Sequence, residues 1–81
     1  MRVFMLNPHL VEIVARNFGL EPAQITPATN ADTVPQWDSV SHLKLILDIE
    51  ESFAVRFSSA ELGELTSVGR IQIALHQRAE R

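Results

Sequence analysis

The chain gathers reactive side-chain types at one place: Asp38, Ser39 and, three residues on, His42. Three roles can be drawn from such a set. On a helix, residues three apart are neighbours, so Ser39 and His42 could act as nucleophile and base. A hydrolytic serine also needs an oxyanion hole and a group that orients the histidine, and no motif for either is evident. A serine that opens a helix is ordinarily a cap, accepting from a first-turn backbone N–H. Such a serine is also exposed, among N–H groups that lack intrahelical acceptors, and that setting favours a phosphate beside it. Taken alone, Ser39 reads as a cap. His9, His42 and His76 fall on separate segments without ligand spacing, and Cys is absent, so no metal site is expected.

Helices must position these residues. Asn7 as cap and Pro8 at the first position predict a helix over residues 8–18, with Leu10, Ile13, Val14 and Phe18 at helical spacing and Gly19 as its stop. Leu6, just before the cap, is placed to staple onto the first turn. Residues 20–37 read as a long loop. Pro22, Pro27 and Pro35 interrupt it, Thr26, Thr29, Asn30, Asp32 and Thr33 favour turns, and one helical turn fits around residues 22–25. Its apolar anchors are Leu20, Ile25, Val34 and Trp37. The second helix starts at Asp38 or Ser39 and runs to about Phe53. A short element at residues 59–63 follows, capped by Ser58, with Ala60 and Leu62 facing inward. The last helix opens at Thr66 or Ser67 and carries Val68, Ile71, Ala74 and Leu75. Only residues 53–57 alternate in a strand-like way. The pattern predicts an all-α fold, a small four-helix bundle with a long loop between helices 1 and 2 and a short third helix, as one domain over residues 1–81.

Charge narrows the function. The net charge is −3. Residues 38–64 hold six acids, Asp38, Asp48, Glu50, Glu51, Glu61 and Glu64, against Lys44 and Arg56. The last stretch holds Arg70, Arg78 and Arg81 against Glu80, and Arg70 and Arg78 read as a solvated face. An acidic centre is the opposite of a phosphate-binding face, so nucleic acid is not an expected partner. No apolar run reaches the roughly 18 residues of a membrane span. Residues 1–6 are apolar but too short for the core of a signal peptide. The expectation is a soluble, cytoplasmic monomer.

The second helix has two apolar stripes where a surface helix needs one. With Leu45 at zero, Ile49, Phe53 and Ile46 fall at about 40°, 80° and 100°, which is a core stripe. Leu43, Leu47 and Val40 fall at about 160°, 200° and 220°, flanked by Glu50 and Glu51. Such a strip framed by carboxylates suits a transient protein-binding face. The alternative is that the long loop covers it. His42, at about 60°, points toward the core as a partly buried, hydrogen-bonded histidine.

Trp37-Asp38-Ser39-Val40 opens a long helix, and Ile49-Glu50-Glu51-Ser52-Phe53 and Leu65-Thr66-Ser67-Val68 follow. With these stretches at their spacing and no gap needed, the sequence resembles the acyl carrier proteins. The resemblance covers essentially the whole chain and is weakest in residues 1–8 and 20–36. It implies a four-helix bundle of acyl-carrier type that carries cargo rather than catalysing a reaction. Ser39 would bear a covalent 4′-phosphopantetheine arm derived from coenzyme A, attached by a phosphopantetheinyl transferase that uses the Asp38 carboxylate. A separate ligase, acyltransferase or synthase would load the arm with an acyl group as a thioester. Docking would run through Val40, Leu43, Leu47, Glu50, Glu51, Glu61 and Glu64. The rival readings are an aminoacyl or peptidyl carrier, an unmodified interaction module of carrier-like fold, and the Ser39–His42 hydrolase.

Three departures bear on the branch. The family's tripeptide is Asp-Ser-Leu, and here Val40 replaces the leucine. Ser41 and Lys44 stand where carriers of bulk fatty acid synthesis usually have acids, which points to a specialised biosynthetic pathway. Trp37 resembles a form seen in dedicated stand-alone carriers, where it would either pack the loop onto the second helix or rim the path of the cargo.

Overall fold

The computed structural model describes residues 5–79. Most of the apolar opening judged too short for a signal peptide, residues 1–4, and the terminal Glu80 and Arg81 lie outside the described residues. Among the described residues there are four α-helices and no strand, the content of an all-α helical bundle.

Helix α1 spans Pro8–Phe18. Its orphan N–H groups at His9 and Leu10 donate to Asn7 Oδ1 at 2.8 and 3.3 Å, and Pro8 has no N–H to satisfy. Gly19 closes it at φ 66°, a left-handed conformation that costs glycine little. Leu10, Ile13, Val14 and Phe18 are buried, as their spacing predicts, and Leu6 packs against the core. Helix α2 spans Ser39–Phe53, with Leu45, Ile46 and Ile49 buried and Phe53 half-buried. It ends at Ala54, whose φ of 56° is left-handed without a glycine. Helix α3 is only Ser59–Leu62, and Ser58 and Glu61 close a reciprocal capping box over its start. Helix α4 spans Val68–Ala79, and Ser67 Oγ accepts from the Arg70 N–H at 3.2 Å over its first turn. Val68, Ile71 and Leu75 face the core.

The long loop is fastened rather than free. It makes one 3-10 turn, Pro22–Gln24, and buries Ile25, Val34 and Trp37 among the residues of α1, α2 and α4. Its backbone also completes α4. The Val68 N–H donates to the Thr29 carbonyl at 3.0 Å and the Gly69 N–H to the Pro27 carbonyl at 2.9 Å. Those N–H groups lie in the first turn of α4 and have no acceptor within the helix, so loop and helix satisfy one another. Gly69 makes the approach possible: a Cβ there would lie 2.9 Å from the Pro27 carbonyl oxygen.

One expectation changes. Ala60 is exposed, because a helix of one turn can turn only one side inward and Leu62 takes it. Residues 53–57, the one strand-like stretch of the sequence, form no strand, in keeping with the all-α expectation: Phe53 ends α2, and Val55 and Phe57 cap the core from an irregular connection. The close approach at Gly69 yields a stability test. Gly69→Ala is expected to cost about 1–3 kcal/mol through overpacking against the Pro27 carbonyl. Urea unfolding should show a lower midpoint with native-like helical content; an unchanged midpoint would contradict the close contact.

Candidate functional site

Ser39 is exposed at the first position of α2, on a footing that is buried. Trp37, two residues earlier, is only 5% exposed and stacks on Phe18 with ring centroids 5.0 Å apart. Of the two roles open to it, packing is the one observed. Asp38 is the cap: its Oδ1 accepts from the Ser41 N–H at 2.9 Å. This bond, helped by the Ser41 hydroxyl, holds the Asp38 carboxyl below the usual carboxylate range, so an ionised group sits beside Ser39 at neutral pH. Because Asp38 does the capping, the Ser39 hydroxyl is not needed for it.

His42 is half-buried and engaged at both ring nitrogens. Nδ1 accepts from the Trp37 indole N–H at 2.9 Å, and Nε2 lies 3.0 Å from the Leu62 carbonyl, which can only accept. The ring is thus the Nε2–H tautomer, with its single lone pair already taken by Trp37. A base for Ser39 needs that lone pair free.

The second stripe of α2 stands in the open. Val40, Leu43 and Leu47 are 78%, 53% and 62% exposed. The loop does not cover them, since Val34 and Trp37 are spent on the core. Of the flanking acids, Glu51 and Glu64 are exposed. Glu50 is half-buried and accepts from the Phe57 N–H at 2.8 Å. Glu61 Oε1 accepts from the Ser58 N–H at 2.7 Å, and Arg78 Nη2 donates to both Glu61 carboxylate oxygens. Glu50 and Glu61 therefore have structural partners as well as an outward charge. Lys44 pairs with Asp48 at 3.3 Å, and its side chain is 70% exposed, so the pair adds little stability.

Arg78 departs from the solvated face read for it. Its guanidinium lies 4.7 Å from the Phe57 ring centroid, donates to the Arg56 carbonyl at 3.0 Å and pairs with Glu61, tying α4 to α3 and the segment before it. Ile73 was not singled out from the sequence, yet it is 50% exposed on α4. It lines a shallow groove of about 170 Å³ with Glu61, Glu64 and Arg70. Its signal was available: two residues from the buried Ile71, it falls about 200° round the helix.

Among the described residues, no group of three or more His, Asp or Glu could hold a metal ion, and no helix is long and apolar enough to cross a membrane. No protein-family model matches the chain.

The carboxylates make stability depend on pH. Asp48, held down first by the Asn17 amide and then by Lys44, Asp38, held by Ser41, and Glu61, held first by the Ser58 N–H and then by Arg78, all have lowered pKa values in the folded state. The unfolded chain therefore binds protons at a higher pH than the folded one, and stability rises with pH across that window. The contribution is complete above the ordinary carboxylate range and is lost as pH falls through the lowered values. Urea midpoints measured between pH 3 and 6 are expected to drop below about pH 4, less steeply in Asp48→Asn; a midpoint flat with pH would contradict these contacts.

Proposed function

We propose that this chain is a small carrier of acyl-carrier type, with Ser39 as the attachment point of a 4′-phosphopantetheine arm. The observation that carries the reading is an exposed, uncommitted serine hydroxyl on a buried footing, followed at once by an exposed apolar strip. Such a strip is costly to leave bare unless something docks on it.

The residues present fit the arm. Ser39 leaves room for a large substituent, and the first-turn N–H groups of Ser39 and Val40, which have no acceptor within the helix, favour a phosphodiester there. In the attachment step Ser39 Oγ attacks the pantetheine-bearing phosphorus of coenzyme A. An O–P bond forms, the bond to adenosine 3′,5′-bisphosphate breaks, and the hydroxyl proton leaves to a base of the transferase. Asp38, ionised and adjacent, is the carboxylate offered to that enzyme. Once attached, the arm supplies the terminal thiol that holds cargo as a thioester.

Val40, Leu43 and Leu47 then form the apolar centre of the docking face, with Glu51 and Glu64 as its free acids and Glu50 and Glu61 adding charge from fixed positions. A contact so small and polar-rimmed suits brief visits to successive enzymes. The cargo is an acyl or an aminoacyl group, and loading with adenylating ligases of each kind separates the two. The engagement of both His42 nitrogens disfavours the hydrolase reading.

Intact-mass measurement after incubation with coenzyme A and a broad-specificity transferase should show one arm added to the wild type and none to Ser39→Ala. A wild type that gains no mass, or a gain that survives Ser39→Ala, would overturn the proposal. The docking face has its own test. Leu43→Ser with Leu47→Ser is expected to raise the transferase KM several-fold while each change moves stability by no more than about 0.5 kcal/mol; a large loss of stability would mean that the strip is packed after all.

A further inference from the structure

Helix α3 is a single turn with little apolar anchorage, since only Leu62 among its residues packs against the core. Polar side chains reach it from two directions. Arg78 of α4 grips Glu61, and His42 of α2 meets the Leu62 carbonyl at 3.0 Å. The second contact runs to the serine-bearing end of α2. The His42 backbone N–H donates to the Asp38 carbonyl at 2.8 Å, the first hydrogen bond of that helix, while its ring accepts from Trp37 at 2.9 Å. One residue thus joins the cap before Ser39, the tryptophan beneath it and the end of α3. The Trp37 and His42 rings also lie nearly parallel, 24° apart, with centroids separated by 6.1 Å.

From this geometry we infer that His42 is a positioning residue: its imidazole holds α3 in register with the Ser39 end of α2, so that both are presented to an incoming enzyme as one surface. The inference rests on the carrier reading for its consequence but not for its geometry. A hydrogen-bonded bridge of this kind needs a donor and an acceptor at opposite ends of one short side chain. Phenylalanine supplies the ring without either group, and glutamine supplies both groups without the ring.

The experiment compares wild type, His42→Phe and His42→Gln by two readouts. Amide hydrogen exchange at residues 62–65 reports the hold on α3. In His42→Phe that exchange should quicken at least tenfold relative to wild type, with exchange in the core of α1 unchanged, and His42→Gln should recover part of the protection. Transferase kinetics report the consequence: His42→Phe should raise KM three- to tenfold at unchanged kcat, with partial rescue in His42→Gln. A folded His42→Phe variant with wild-type exchange and wild-type KM would overturn the inference. Should that variant fail to fold, nitrogen NMR of the wild-type imidazole decides, since an Nδ1–H tautomer would contradict the bridge and an Nε2–H tautomer would support it. A wild type that accepts no arm would count against the carrier reading instead, leaving the exchange readout to judge His42.

Discussion

Trp37 stacks on Phe18 and is almost wholly buried, so its indole N–H must find an acceptor inside the protein or lose the bond it made to water. His42 provides that acceptor. Much of the site follows from this one constraint. The end of the long loop is pinned to α1, the start of α2 is fixed in place, and the imidazole is committed to a tautomer whose other nitrogen can donate to α3. The buried ring is also what allows the next residues, Asp38, Ser39 and Val40, to stand fully outside. An exposed serine on a flexible loop would wander; this one is two residues from a core side chain.

The same core explains why α2 has an unpaired apolar face. The loop's apolar side chains, Ile25, Val34 and Trp37, fill the space between the helices, and none is left to lie over Val40, Leu43 and Leu47. The loop cannot shift outward to cover them either, because the Thr29 and Pro27 carbonyls hold it against the first turn of α4. Bare leucines on a helix that also carries Glu51 are better suited to a partner that leaves again than to a permanent interface.

The helices were legible because their ends carry strong local chemistry. Asn7-Pro8 and Gly19 bracket α1, and Asp38 opens α2 with no breaker before its end, so their limits could be read almost to the residue. The two faces of α2 were also legible, since periodicity alone separates Leu45 and Ile49 from Leu43 and Leu47. What could not be read was partnership across the fold. Arg78 reads as a solvated cation until Phe57 and Glu61 are brought to it from elsewhere in the chain, and Glu50 reads as a free acid until the Phe57 N–H reaches it. The loop's grip on α4 is made by backbone carbonyls, which leave no trace in side-chain pattern apart from the glycine at position 69. For Ser39 the sequence offered a position and a resemblance, and the structure adds that Asp38 relieves it of capping.

The central claim is that this freed hydroxyl, and no other, receives the arm. Ser41 lies two residues away but is half-buried, and its N–H is bound to the cap. Fragmentation mass spectrometry of the coenzyme A-treated protein reads the modified position directly. The account predicts the arm on Ser39 alone; an arm on Ser41 or on another hydroxyl, or a chain bearing none, would contradict it.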